Sequence, residues 1–136
     1  MTAIADREAL LFANEAFYRA FCDRDIDALD ALWAQAEPVL CIHPGWPALV
    51  GRDEVMASWT RILANPDAPK IECRDPHVHL LGDVGMVVCY EVIEGQALVA
   101  TNIFRREGRT WKLVHHHAGP APAPPETKPE AAPRPN

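Results

Sequence analysis

Long apolar runs and clustered basic residues are both missing from this sequence of 136 residues. No segment approaches the roughly 20 apolar residues that span a bilayer, and the N-terminal stretch has acidic residues within its apolar run and no cleavage-site pattern. The 13 Lys and Arg residues are scattered and are outnumbered by 19 Asp and Glu, which gives a formal net charge of −6. Nucleic acids and anionic membrane surfaces both require clustered positive charge. We therefore expect a cytoplasmic protein that binds neither nucleic acid nor a membrane.

Paired cysteine motifs are also missing. The four cysteines, Cys22, Cys41, Cys73 and Cys89, form no Cys-x-x-Cys pair. Their spacing therefore offers neither a zinc-binding pattern nor a redox motif. We expect them to be buried, reduced thiols, since three of them lie in apolar, strand-like runs.

The sequence does contain a helical pattern in its first half and a strand pattern in its second half. The predicted helices run from Asp6 to Phe21, from Asp25 to a stop at Glu37-Pro38, and from Gly51 to Asn65. The predicted strands cover about residues 39–43, 70–81, 85–94, 96–106 and 110–117, and residues 44–47 form a loop. The connections between the last four strands are too short for crossovers, so these strands pair antiparallel as a meander. This pattern predicts an α+β fold in which helices cover a curved sheet and leave a conical cavity.

The C-terminal segment is rich in proline, with seven prolines among the 17 residues from Pro120 to Asn136. It has almost no apolar side chains to bury, which is typical of a solvated polyproline-like extension. An alternative is that it packs on a neighbouring subunit. We therefore divide the chain into a domain of residues 1–119 and a tail of residues 120–136.

Several short motifs occur in an order that is known from one superfamily. They occupy residues 43–45, 51–55, 76–79 and 111–117, the last of which contains three consecutive histidines. This order resembles the SnoaL-like branch of the nuclear transport factor 2 (NTF2) superfamily. The second half is also similar to the association domain of calcium/calmodulin-dependent protein kinase II, including a strand over residues 101–106.

The resemblance implies a cone-shaped fold, with three N-terminal helices packed on a curved antiparallel sheet and homodimers formed through the outer face of the sheet. The superfamily includes isomerases, cyclases, dehydratases, hydrolases, ligand binders and oligomerisation modules, so the fold does not determine the function. Where the association domain has pocket arginines, the resemblance aligns Val92, Asn102 and Ala118. A pocket that clamps carboxylates is therefore not implied here.

The same alignment predicts which side chains face the pocket, because side chains alternate along a strand. It selects Met86, Val88 and Tyr90 on one strand, Leu98, Ala100, Asn102 and Phe104 on the next, and Val114 and His116 on the last, with His43 and Trp46 at the mouth and Trp59 in the helical wall. Glu91 is expected to point the other way. Such a pocket is mostly apolar with a few polar groups, which is typical of sites for small apolar or amphipathic molecules.

His116 is the candidate catalytic residue, as a general base or hydrogen-bond donor, because imidazole titrates near physiological pH. The alternative is a structural histidine with satisfied hydrogen bonds. Alternation places Trp111, Leu113, His115 and His117 on the other face. His77 and His79 repeat the His-x-His spacing and could meet His115 and His117 around a metal, but no carboxylate ligand can be assigned to them. We therefore expect neither a metal nor a cofactor.

Two functions of different classes remain open. The first is a homodimeric small-molecule-binding protein, whose reaction, if it is an enzyme, is a cofactor-free acid/base isomerisation or dehydration with His116 as the proton-transfer group. The second is a non-catalytic association module with a vestigial pocket. The sequence does not identify the ligand.

Overall fold

The protein is described by a computed structural model that covers residues 2–36, 38–123 and 125. Three helices precede most of a six-stranded sheet, which confirms the predicted α+β fold. The elements are α1 (Ala3–Cys22), α2 (Ile26–Leu32), β1 (Leu40–Ile42), β2 (Leu49–Val50), α3 (Arg52–Ala64), β3 (Glu72–Leu81), β4 (Val84–Ile93), β5 (Gln96–Glu107) and β6 (Thr110–Pro120). None of the described helices is long and apolar enough to cross a membrane.

The first two helices begin at side-chain caps. The Thr2 hydroxyl accepts a hydrogen bond from the Ala5 amide, so α1 begins three residues before the predicted start. Asp25 caps α2 as predicted, accepting from the Ala28 amide, and α2 ends at Leu32. The predicted stop at Glu37-Pro38 includes Glu37, which lies outside the described residues.

The sheet has the strand order β2-β1-β6-β5-β4-β3. The last four strands form the predicted antiparallel meander. The prediction missed two pairings at the other edge, where β1 runs parallel to β6 and β2, in a segment after the predicted loop to which no element was assigned, adds to β1. Three-residue and two-residue strands give little periodicity for sequence reasoning to use.

One face of the sheet is covered by α1 and carries the core. Leu10 and Phe17 of α1 are buried, as are Val87 of β4 and Phe104 of β5. On β6 the register shifts between the pairs Ile103–His115 and Phe104–Leu113, so one residue bulges out. The extra residue is Val114, which does not line the cavity as predicted. The bulge puts Trp111 and Leu113 on the same buried face as His116, which corrects the predicted separation of these side chains.

The cysteines in this fold are free thiols. Cys41 and Cys89 are buried, and Cys22 and Cys73 are half-buried. Burial raises the pKa of the Cys41 thiol to about 12, so this group stays protonated.

The proposed domain boundary falls at the end of β6. Pro120 still pairs with Leu98, and the Ala121 amide donates to the Ala97 carbonyl oxygen. The Pro125 carbonyl oxygen accepts a hydrogen bond from the Arg74 guanidinium. The rest of the predicted solvated tail, Pro124 and residues 126–136, lies outside the described residues.

The contact between Gly85 of β4 and Leu10 of α1 makes a testable prediction. A Cβ at Gly85 would overlap the Leu10 side chain, with Leu10 Cδ2 only 2.6 Å away and Leu10 fully buried. We expect Gly85→Ala to lower the free energy of unfolding by about 1–3 kcal/mol, measured by urea denaturation. In the Leu10→Ala background the same change should have a smaller effect, because the overlap is gone. Additive effects in this double-mutant cycle would contradict the close packing.

Candidate functional site

A cavity of about 230 Å³ opens between α1, α3 and the inner face of the sheet. Most of its walls are aromatic or aliphatic. It is lined by Phe17, Tyr18, Phe21, His43, Pro44, Trp46, Trp59, Ile62, Pro69, Ile71, Glu91, Ile93, Leu98 and His116. Phe17 and Phe21 both contact Trp59 edge to face, at ring-centre distances of 5.5 and 6.0 Å. This composition fits a small-molecule site, although the cavity is small for that class.

The predicted pocket-facing residues of β4 are on the wrong face. Asn102 on β5 pairs with Val87, so Val87, Cys89 and Glu91 point inward. Met86, Val88 and Tyr90 are therefore on the opposite face of the sheet. The prediction assumed that Val92 faces the pocket, but near the end of β4 both Val92 and its neighbour Glu91 are buried, so burial of Val92 does not identify the inner face. A one-residue error in register moves every side chain of a strand to the other face.

Other predicted residues are on the cavity side of the sheet. His43, Trp59 and His116 are buried and line the cavity, and Trp46 is 37% exposed at its mouth. Asn102 and Phe104 are fully buried and do not line the cavity wall. Whether any of these residues binds a ligand stays a prediction.

A buried hydrogen-bond network determines which nitrogen of His116 carries its proton. Asn102 uses its amide nitrogen to donate to Asn14 Oδ1 at 2.9 Å and to the Tyr18 hydroxyl at 3.2 Å. Its amide oxygen is therefore left as an acceptor, 2.6 Å from His116 Nδ1. An acceptor at that distance requires Nδ1–H on the imidazole, so His116 Nε2 has the free lone pair.

Glu91 lies on the Nε2 side of His116. Its Oε2 is 3.9 Å from Nε2, and both side chains are 3% exposed. The Tyr18 hydroxyl donates to the same oxygen at 2.7 Å. Burial, followed by the neighbouring Glu91 charge, raises the pKa of Tyr18 well above its usual range, so Tyr18 remains a donor.

The pKa values of Glu91 and His116 are shifted in opposite directions by the same cause. Burial raises the pKa of the Glu91 carboxyl, and the Tyr18 hydrogen bond only partly opposes this effect. Burial, together with the nearby His43, lowers the pKa of His116 to about 3. A carboxyl that holds its proton longer therefore lies beside an imidazole that stays neutral, and such pairs are typical of acid/base sites.

His43 is the second histidine of the cavity. Its Nε2 is 2.9 Å from Ser58 Oγ, and the Ser58 hydroxyl donates to the Val55 carbonyl oxygen at 2.7 Å. Nε2–H is therefore the donor to Ser58. The ring packs between Trp46 and Trp59, at 4.8 and 4.6 Å, and burial lowers the pKa of His43 to about 4. This histidine is also neutral at physiological pH.

Sequence reasoning missed Asn14, Tyr18 and Glu91. Asn14 and Tyr18 lie four residues apart, in the middle of the apolar stripe of α1, which puts two polar side chains on one buried face. Glu91 shares the inward face of β4 with Val87 and Cys89, since the three residues are spaced two apart. The sequence does show these polar residues at positions where the pattern expects apolar ones. To recognise them as buried, however, one must already know which face of the helix or strand points inward.

The remaining histidines lie on the outer face of the sheet. His77 and His79 pair with Val88 and Met86, and the ring centres of His115 and His117 are 6.2 Å apart. His77 Nε2 lies 3.1 Å from the Asp75 carboxylate. Within the described part of the chain, no three His, Cys, Asp or Glu side chains are arranged to hold a metal ion.

The chain matches the SnoaL-like domain family over residues 11–124. A protein from Streptomyces avermitilis, named as a candidate dehydratase of the NTF2-like family, is 40% identical, with a TM-score of 0.82 over 90% of this chain and 100% of that one. A candidate calcium/calmodulin-dependent protein kinase type II association domain from Thiobacillus denitrificans is 33% identical, with a TM-score of 0.72 over 80% and 92%. The F-box protein SKIP8 of Arabidopsis thaliana is 27% identical over 116 residues. The chain spans about half the length of that curated relative, 84% of its own residues matching 50% of the relative.

The lowered pKa of His116 predicts a pH dependence of stability. Between its ordinary value of 6.5 and about 3, the unfolded chain binds a proton at this position and the folded chain does not. The free energy of unfolding should therefore fall with decreasing pH below 6.5, by up to about 1.4 kcal/mol per pH unit from His116. Glu91 has the opposite sign, since its raised pKa stabilises the fold at low pH. Comparison with His116→Gln isolates the histidine contribution.

The measurement is urea denaturation of wild type and His116→Gln at several pH values from 7.5 down to about 4. We expect a shallower decline in the variant. Val87→Ala, a buried change without a titratable group, is the control and should lower stability by the same amount at each pH. Parallel curves for wild type and His116→Gln would show that His116 is not held neutral.

Proposed function

Because this chain belongs to the SnoaL-like domain family, we propose that its cavity binds a small, mostly apolar molecule and catalyses a cofactor-free proton transfer. The observation that carries this proposal is the 3.9 Å separation of Glu91 Oε2 and His116 Nε2 in an otherwise apolar cavity. A proton donor and a proton acceptor that are so close can act on two atoms of one bound substrate. Dehydration and isomerisation are two reactions that use this combination.

For a dehydration, each group has one task. His116 Nε2 takes the proton from a carbon next to a carbonyl group, and Glu91 gives its proton to the leaving hydroxyl oxygen. The C–H and C–O bonds break, a C=C bond forms, and one water molecule leaves. The reaction yields an imidazolium beside a carboxylate, which attract each other in a desolvated site. Proton transfer from His116 to Glu91 then restores the starting state.

An isomerisation uses the same two groups. One removes a proton from carbon and the other returns a proton to a different carbon or oxygen of the same substrate, with no net change in atoms. Neither reaction needs a redox or group-transfer cofactor.

Three further residues position this pair. Asn102 holds the Nδ1–H of His116, and Asn14 fixes the orientation of the Asn102 amide. Tyr18 donates to Glu91 Oε2 and directs that oxygen towards the imidazole. None of the three needs to touch the substrate. The candidate dehydratase of S. avermitilis, which aligns over its whole length, supports the choice of dehydration.

The proposal can be tested with 5-nitrobenzisoxazole, a neutral, flat probe that a base converts into a coloured phenolate by removing one proton from carbon. We expect wild type to accelerate this reaction with saturation kinetics. Glu91→Gln and His116→Gln should each lower the rate by about a hundredfold, because each removes half of the proton-transfer pair. Tyr18→Phe should have a smaller effect.

The matched control is Glu8→Gln, which removes an exposed carboxylate of α1. This variant should keep the wild-type rate. Thermal melts of all four variants identify any loss of folding. Equal rates for wild type and a well-folded Glu91→Gln or His116→Gln protein would refute the proposed pair.

A second function, a self-associating module, is favoured by a different face of the molecule. The structural relatives include association-domain proteins, among them the T. denitrificans candidate. The outer face of the sheet presents a patch of four side chains, Met86, Val88, Thr101 and Ile103, in adjacent positions on β4 and β5. None of the three described helices lies on this outer patch, because α1 packs on the opposite face. We propose that it forms a homodimer, which is compatible with either function.

Homodimer formation is tested by light scattering at about tens of micromolar protein, where we expect twice the chain mass. Ile103→Glu puts a charge in the outer patch and should yield a monomer with an unchanged circular dichroism spectrum. Phe12→Glu, on α1 at a position that is 75% exposed, is the control and should remain dimeric. A monomeric wild type would exclude the association module.

We propose the cytoplasm as the compartment. All four cysteines are free thiols, and Cys41 and Cys89 lie in the core. Free thiols are the usual state in a reducing compartment.

A further inference from the structure

The charge of the cavity wall limits what the cavity can bind. Among the described residues that line it, Glu91 is the only acidic side chain, and neither lysine nor arginine is present. The two histidines, His43 and His116, are neutral at physiological pH because burial lowers both pKa values. An anionic ligand would therefore lose its water without gaining a positive partner, next to a carboxyl group.

The hydrogen-bond network also determines which polar groups of the cavity can donate to a ligand and which can accept from it. His116 donates through Nδ1 to Asn102, so Nε2 is an acceptor. Tyr18 uses its hydroxyl proton on Glu91, and Ser58, behind His43, uses its own on the Val55 carbonyl oxygen. The indole N–H of Trp59 has no hydrogen-bond partner among the described residues, so it is a neutral donor in the wall. A ligand that satisfies Nε2 must bring its own hydrogen-bond donor.

The walls and the volume favour a flat molecule. Phe17, Trp46 and Trp59 surround the space, and His43 packs edge to face against both tryptophans. Aromatic rings prefer further offset or edge-on contacts with another ring. A space of about 230 Å³ has room for one or two fused rings.

From these observations we propose that the cavity selects an uncharged one-ring or two-ring molecule with a hydroxyl or enol donor directed at His116, and that it rejects carboxylates of the same size. This selection rests on the function proposed above, since it names the substrate class of the same site. The raised pKa of Glu91 and its Tyr18 hydrogen bond also reduce the attraction for cations. Neutral molecules are therefore expected to rank first.

The test is isothermal titration calorimetry at pH 7.5 with four probes of one size: 2-naphthol, naphthalene, 2-naphthoate and 2-naphthylmethylammonium. We expect 2-naphthol to bind best and naphthalene to bind about fivefold more weakly, because it lacks the donor to Nε2. The carboxylate 2-naphthoate should bind at least about a hundredfold more weakly than 2-naphthol. The ammonium probe should also bind more weakly than 2-naphthol.

A gain-of-function variant tests the electrostatic reason. Ile62→Lys adds a cation to the α3 wall of the cavity and should improve binding of 2-naphthoate by at least about tenfold, with little gain for naphthalene. Ile62→Met is the control that keeps the wall apolar. Both should show wild-type circular dichroism.

The outcomes are distinguishable from those of the proton-transfer test. Binding needs no turnover, so Glu91→Gln should still prefer 2-naphthol to 2-naphthoate even if proton transfer is lost. If 2-naphthoate or the ammonium probe bound as tightly as 2-naphthol, or if none of the four bound, the substrate class proposed here would be wrong. If only the 5-nitrobenzisoxazole reaction failed, the proposed proton transfer would be refuted. The predicted order of binding of the four probes would still be tested by the calorimetry.

Discussion

The Asn102 side chain is the contact on which the site depends. It comes from the middle of β5, accepts from His116 on β6 and donates to Asn14 and Tyr18 on α1, so one amide joins two strands and a helix. All of its partners are buried, and a buried amide with a missing partner is unfavourable by about 1–3 kcal/mol. The helix is therefore held over the sheet by a polar contact within an apolar core. The same contact leaves His116 Nε2 facing Glu91.

The order of helices and the antiparallel meander could be predicted from sequence because each long element repeats its own period. The edge formed by β1 and β2 could not, since five residues in two strands provide almost no pattern. The bulge in β6 was equally hidden, because alternation along Trp111, Leu113 and His115 continues smoothly in the sequence. Only the pairing with β5 shows that one residue is extra. Local periodicity therefore predicts elements better than it predicts faces.

Prediction of the site residues was limited in the same way, by the assignment of each strand's faces. His116 and Asn102 were predicted to face inward and do so, because the reference positions that the alignment supplied for β5 and β6 do point inward. On β4 the reference position was wrong by one residue. Glu91 was therefore predicted to face outward and Tyr90 inward, the reverse of what is observed. Strands with apolar residues on both faces, such as β4, provide weak evidence for register. The cost of burying a carboxylate without a partner also favours an outward Glu91, and only its hydrogen bond with Tyr18 of α1 makes the inward position possible.

The resemblance to association domains shows how one fold can hold a different pocket. It aligns Asn102 with a position where those domains have a pocket arginine. An arginine there would bring a fixed positive charge and could accept no hydrogen bond from an imidazole. With an asparagine, the charge is absent, the His116 tautomer is set, and the neighbouring Glu91 is left without a cation to pair with. This one amide therefore sets both the charge and the hydrogen-bond direction at the inner end of the cavity, and the proposed proton transfer and ligand selection depend on these two properties.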